Sequence, residues 1–549
     1  MTTTPTLGGA RAESAASFSA RLASLARTDL AEAKALAVRA RADGASSPVI
    51  HHLVGLELKD ARRFEEAIAE LGLGLQLDPR HAGLMTTVGF CLLELGRRQE
   101  AANVLSAAMR QDPRLPEAVY GYGCAAERLG ALDSARSAFE RAVALDPDHA
   151  DALAGLSGLA TRRRDWPLAR SLAERSVALN GRQTDALMNL VRVDLGEEAF
   201  ESAHARLEAI LPLPFLHPLA HANAHILLAD ALDGLGRYEE AFAAYAAGKA
   251  EMRELYAGEF ARPDELATVD VVRAMLKEFL ESPAEAWIGP PRAVAPGPQR
   301  GHAFLMGFPR SGTTLLEQVI ATHPDMVALG ERPVMLDAEA EFLSGTGGMK
   351  RLAAVLSDML EPYRDSYWRR VRQLGVDPTG KVFVDKHPLS AMRLPLMHKM
   401  FPRAKILFAL RDPRDVVLSC FRRSFNMNAN MFEFNTILGA ARLYDAVMTA
   451  GQTYIERLPL EVHSLRHEDL VADFDKETKA LCQFLGVEWT ESLRDFARTK
   501  RVIATPSGVQ IGRGLNADGV GYWRNYAFAL EPALPILAPW VERFGYPAD

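Results

Sequence analysis

Residues Gly307-Phe308-Pro309-Arg310-Ser311-Gly312-Thr313-Thr314 lie between an apolar run and the helical pattern Leu315 to His323. A glycine-bearing loop that opens a helix aims backbone N–H groups at an anion, and here it adds hydroxyls and a guanidinium. The pattern is close to the triphosphatase loop Gly-x-x-x-x-Gly-Lys-Ser/Thr, but Thr313 stands where the lysine belongs. Arg310 supplies the positive charge instead, which suits a short anion with a single transferable end group. A nucleotide kinase is disfavoured by Thr313 and by the lack of an evident magnesium carboxylate after a strand. Simple capping by Gly-Thr-Thr would leave the preceding strand and the arginine unexplained.

A second constellation runs from Leu407 to Phe425: Arg411 at the end of an apolar run, a turn at Pro413, then a helical pattern with Ser419 and Arg423 on one face. Together these three can surround a second phosphate. The competing expectation is a salt-bridge cluster in which Asp412 and Asp415 neutralise the arginines. Lys386 ends a further apolar run, Lys381 to Asp385.

The elements that must position these groups are short apolar runs alternating with helical patterns. Ala303–Phe308, Lys381–Asp385, Lys405–Leu410 and Leu460–Leu465 read as buried strands, which predicts a parallel sheet covered by helices.

Pro309 to Thr314 after a strand, with Arg411 to Ser419 about a hundred residues later, resembles the paired signatures of sulfotransferases that use 3′-phosphoadenosine-5′-phosphosulfate (PAPS). The nearest pattern is the tyrosylprotein sulfotransferase branch, and the resemblance spans roughly Ala303 to Tyr526. It implies a P-loop-like α/β sulfotransferase fold in which Arg310, Ser311, Gly312, Thr313 and Thr314 hold the 5′-phosphosulfate. Arg411, Ser419 and Arg423 would hold the 3′-phosphate, and adenosine 3′,5′-bisphosphate (PAP) would be released, with no metal expected. Arg310 and Lys386 would stabilise charge on the departing oxygen, and Glu331 would be the base, with His387 its rival. In the tail, Ser507 aligns with a phosphate-contacting serine and Trp523 with the family's tryptophan. Tyr522 stands where relatives carry a basic residue, so Arg513 or Arg524 is expected to supply that charge, and His467 replaces an aromatic ring near the nucleotide. The acceptor is a peptide tyrosine or, as the alternative, a sugar hydroxyl. A non-catalytic scaffold with a degenerate nucleotide domain is the less favoured reading.

The first half of the chain has a different texture. Leu77-Asp78-Pro79, Gln111-Asp112-Pro113, Leu145-Asp146-Pro147 and Leu179-Asn180-Gly181 recur every 34 residues, with Ala67, Ala101, Ala135 and Ala169 in register. This resembles a tetratricopeptide α-solenoid of about five to six repeats, and such arrays commonly hold a peptide or protein. The domains expected are a tail and capping helix (1–47, the helix around Phe18 to Ala42), the repeat array (48–280), a Pro-rich connector (281–301) and the sulfotransferase domain (302–549).

Across the 549 residues, 48% are hydrophobic and 24% charged, which excludes a fully disordered or fibrous chain. A net charge of −7 gives no general attraction for nucleic acid or anionic lipid, so an anion site must be built locally. The 4 scattered cysteines match neither a zinc motif nor a disulfide framework and read as buried small apolar groups. With no leader-like N-terminus and no membrane-length apolar run, the expected location is the cytoplasm.

Overall fold

The computed structural model describes residues 15–262, 266–288, 297–498 and 517–548. Helix pairs begin at Pro48, Ala82, Pro116, Ala150, Thr184 and Pro218, which reproduces the 34-residue period of the sequence. Proline fits the first turn at Pro48, Pro116 and Pro218 because its missing N–H would have no helical partner there. The in-register Ala67, Ala101, Ala135 and Ala169 are each 0% exposed, so any larger side chain would force the paired helices apart. At Gly123 an added Cβ would lie 2.5 Å from a Phe139 ring carbon, which is why that helix carries glycine. In place of one capping helix there are two, Ala15–Thr28 and Leu30–Ala42. The side chain of Asp29 accepts from the Glu32 N–H at 2.9 Å and starts the second helix.

The chain divides into two compact units, Met1–Arg206 and Leu207–Asp549. The Pro-rich segment 281–301 falls inside the second of these units. The last helix pair, Pro218–Gly234 and Tyr238–Phe260, falls in the same unit as the sheet. Largely buried polar contacts hold it there. Asp233 pairs with Arg422, Lys249 Nζ donates to the Arg423 carbonyl at 2.6 Å, and Arg422 Nε donates to Tyr245 Oη at 3.2 Å. Helix Thr268–Glu281 joins the same unit through Phe279, whose ring meets Tyr454 edge-on at 4.7 Å.

Among the described residues five strands form the sheet: β1 (Gly301–Gly307), β2 (Met326–Leu329), β3 (Val382–Lys386), β4 (Lys405–Leu410) and β5 (Val462–Arg466). Their order is β2-β3-β1-β4-β5 and every pairing is parallel. Four strands match the apolar runs of the sequence; the short β2 was not expected. Successive residues face opposite layers: Phe304, Met306, Phe383 and Phe408 pack into one core, Ala303, Leu305, Val384 and Leu407 into the other. Helices cover both faces, so the sheet's carboxyl edge is where the strands run out into loops. No helix among the described residues is long and apolar enough to cross a membrane. All four cysteines are unbridged; Cys91, Cys420 and Cys482 are buried and Cys124 is half-buried.

Candidate active site

β1, β3 and β4 are neighbours, and their carboxyl ends deliver Arg310, Lys386 and Arg411 to one rim, where the strand order switches direction. The loop after β1 is tight. Arg310 has φ 72° and Gly312 φ 92°, and Gly312 caps helix Thr313–Ala321. A left-handed arginine costs about 1–3 kcal/mol, a strain that the surrounding contacts must over-determine. Those contacts are specific: Arg310 Nε donates to Ser419 Oγ at 2.8 Å, and Arg411 Nη1 donates to the Arg310 carbonyl at 3.2 Å. Ser311, Thr313 and Thr314 are buried beside them. Burial pushes the Arg310 guanidinium down to about 9, and the nearby Arg423 and Arg411 add to the shift. The site therefore concentrates positive charge that an anion would relieve.

Among the described residues, Asp412 and Asp415 form no ion pair with Arg411 or Arg423. Asp412 pairs with Arg414 at 2.8 Å, and Asp415 accepts the N–H groups of Gly521 and Trp523, each at 2.8 Å. Burial raises the Asp415 carboxyl to about 6, against the pull of Arg411 and those two N–H groups. Arg411 instead donates to the Gly519 carbonyl, and its buried Nε has no hydrogen-bond partner among the described residues. Ser419 lies in helix Pro413–Arg422, but Arg423 does not share its helical face. Arg423 caps the helix in extended conformation, φ −94° and ψ 146°, held by Lys249 on its carbonyl and 3.7 Å from Asp230.

His467 opens helix His467–Ala472 after β5, and its Nδ1 lies 3.1 Å from where a Cβ on Gly312 would be. Burial, then Arg411 and Arg310, lowers it to about 3, so the ring is neutral, and its buried Nδ1 also lacks a partner among the described residues. Two orphaned buried nitrogens facing a glycine loop fit a bis-anionic nucleotide that completes their hydrogen bonding.

On the other side of β1, Lys386 is 0% exposed, with Nζ 2.7 Å from Glu331 Oε1 and 2.9 Å from Glu317 Oε2. Glu331 is the more open carboxylate, 37% exposed against 14% for Glu317. The rival base His387 turns Nδ1 to the Pro388 carbonyl at 2.7 Å, and burial lowers its pKa. Its strand neighbour Asp385 accepts from Tyr367 Oη at 2.8 Å, and complete burial raises it to about 7.

The structure thus brings together Arg310, Ser311, Gly312, Thr313, Thr314, Arg411 and Ser419, places Lys386 with Glu331, and sets Arg423 at the helix end. Ser507 and Arg513 lie outside the described residues. Tyr522 donates to Asp233 at 2.9 Å, and Arg524 stacks over Trp523 at 4.9 Å. Glu317 escaped the sequence reading; its signal was a lone acid one turn into the loop helix.

Comparison with known proteins gives the following. Residues 303–491 match the sulfotransferase family, and residues 92–150 and 123–186 match the tetratricopeptide repeat. An uncharacterized protein of Aquifex aeolicus is 27% identical over 44% of this chain, a match that spans 32% of the relative's length. Protein-tyrosine sulfotransferase 1 of Danio rerio is 23% identical over 44% of this chain and 71% of its own. The Pseudomonas aeruginosa pilF structure overlays 39% of this chain and 93% of its own, at 16% identity and a TM-score of 0.32. The parallel sheet, the anion loop and the two family matches agree: residues 303–491 form a sulfotransferase-family domain preceded by tetratricopeptide repeats.

Proposed function

We propose that the protein transfers a sulfuryl group from PAPS to the hydroxyl of a peptide tyrosine and releases PAP. The reading rests foremost on the 2.8 Å hydrogen bond between Arg310 and Ser419, which sets two anion-binding segments side by side at adjacent strand ends. The donor supplies an activated sulfate whose bond to phosphate breaks as the new S–O bond forms. Arg310 and the N–H groups of Ser311 to Thr314 hold its 5′ end; Arg411, Ser419 and Arg423 hold the 3′-phosphate that ATP lacks. By the resemblance, Ser507 and either Arg513 or Arg524 also serve the donor.

Glu331 takes the acceptor proton on its open carboxylate. Lys386, anchored from behind by Glu317, orients Glu331 and supplies positive charge. When Glu331 gains the proton it no longer neutralises the ammonium, so the freed charge of Lys386 meets the negative charge developing opposite. Such a fixed, buried cation costs little reorganisation during the reaction. The repeat array, in this reading, presents the polypeptide acceptor.

The experiment is transfer from ³⁵S-labelled PAPS to a tyrosine-peptide library and an oligosaccharide mixture in parallel. Tyrosine sulfate after hydrolysis supports the assignment, whereas label confined to sugar moves the acceptor class. Calorimetry with PAP and ATP tests the donor, since equal or tighter ATP binding removes it.

A further inference from the structure

Away from the anion loop, helix Pro218–Gly234 carries His221 and His225 one turn apart, and Glu251 of helix Tyr238–Phe260 faces both. One carboxylate serves two imidazoles: Oε2 is 2.9 Å from His221 Nδ1 and Oε1 is 3.5 Å from His225 Nε2. The rings meet edge to face with centroids 4.9 Å apart. The three ligand atoms all lie within 4.8 Å of one another. We infer that His221, His225 and Glu251 bind a zinc ion.

Zinc bonds to nitrogen and oxygen of about 2.0–2.2 Å put tetrahedral ligands roughly 3.3–3.5 Å apart. The imidazole–carboxylate spacings of 2.9 and 3.5 Å lie close to that value. Two imidazoles with one carboxylate favour zinc over magnesium or calcium, which take oxygen ligands. Three protein ligands leave a fourth position open. The cluster borders a pocket of about 440 Å³ lined by Leu216, Pro218, His221, Glu251, Glu254 and Leu255, which has room for a water as a further ligand. A simple ion pair would satisfy one histidine, whereas here both rings converge on a single carboxylate from one helical face.

The ion would bridge the two helices. One of them also carries Asp230 and Asp233, which engage Arg423 and Arg422, and the other carries Lys249. Zinc therefore stiffens the helix pair that braces the end of helix Pro413–Arg422, without touching the groups assigned to sulfuryl transfer.

The test uses the full chain, stripped with chelator, dialysed and titrated calorimetrically with zinc chloride. One equivalent should bind, and His221→Ala and Glu251→Gln should each weaken it at least tenfold while PAP binding stays within twofold. Cobalt loading of the wild type should give visible d–d absorption that His221→Ala abolishes. Glu251→Gln is conservative enough to keep the helix pair should the alanine variant unfold. Failure of the wild type to bind zinc overturns the inference. So does zinc affinity unchanged in both variants, or magnesium binding as tight as zinc.

Discussion

Arg310 Nε and Ser419 Oγ lie 2.8 Å apart although 109 residues separate them in the chain. One hydroxyl thus joins the loop after β1 to the helix after β4. A hydrogen bond to a charged group contributes about 1.5–3 kcal/mol, roughly ten- to a hundredfold in affinity. Ser419→Ala should therefore raise the calorimetric Kd for PAP by at least about tenfold. An unchanged Kd would falsify the joined-cradle account.

Glu331 and Lys386 should separate in their failures. Loss of a general base costs about 10²–10⁴ in rate, so Glu331→Gln should lose that much kcat and keep its PAP affinity. Lys386→Met leaves Glu317 and Glu331 without their shared cation, and breaking the largely buried Lys386–Glu317 pair costs up to about 3–5 kcal/mol. It should lower Tm as well as abolish turnover. If Glu331→Gln turns over normally and His387→Ala does not, the base is His387.

Asp385 predicts an alkaline weakening. Its folded pKa, about 7, lies above the unfolded value, so between roughly pH 4 and 7 the native state binds more protons than the unfolded state. Its contribution to stability falls as pH rises through that window. Asp385→Asn cannot ionise, so its Tm relative to wild type should be higher at pH 8 than at pH 5. His302, which shares Tyr367 with Asp385 and is lowered by burial to about 3, acts in the opposite sense. It loses stability as pH falls below about 6.5, and it is common to both proteins. A Tm difference independent of pH would show that Asp385 is not buried as described.

Asp233 gathers Arg422, Tyr522 and Tyr526 around one carboxylate. Arg422 and Asp233 are only 11% and 13% exposed, so removing the carboxylate leaves a largely buried, unpaired guanidinium at a cost of about 3–5 kcal/mol. Asp233→Ala should lower the urea midpoint of the sheet-bearing unit and weaken PAP binding through the displaced end of helix Pro413–Arg422. Wild-type behaviour in both measurements would make the cluster incidental.

What the sequence disclosed follows from range. Pro309 to Thr314 and Arg411 to Ser419 are consecutive residues whose backbone geometry is local, so their types and order suffice to read them. The repeats were legible because each small residue recurs at a fixed interval. Long-range pairings were not. Glu317 looks like any acid in a helix until Lys386 is found beside it, and Asp230, Asp233 and Lys249 look like ordinary helix charges until Arg422 and Arg423 meet them. β2 was missed because Met326–Leu329 is an apolar run of only four residues, too short to be told from a turn or a helix end. Arg423 was placed on the helix by spacing alone, whereas the chain turns extended there.

The bracing of Arg422 and Arg423 by Asp233, Asp230 and Lys249 has a practical corollary for cutting the gene. A fragment starting at residue 302 would keep every signature by which the catalytic part is identified and yet strand two guanidiniums without their counter-charges. A fragment starting near Leu207 keeps them, so the shortest autonomous piece is set by electrostatic debts owed to the final helical hairpin rather than by where the prolines lie.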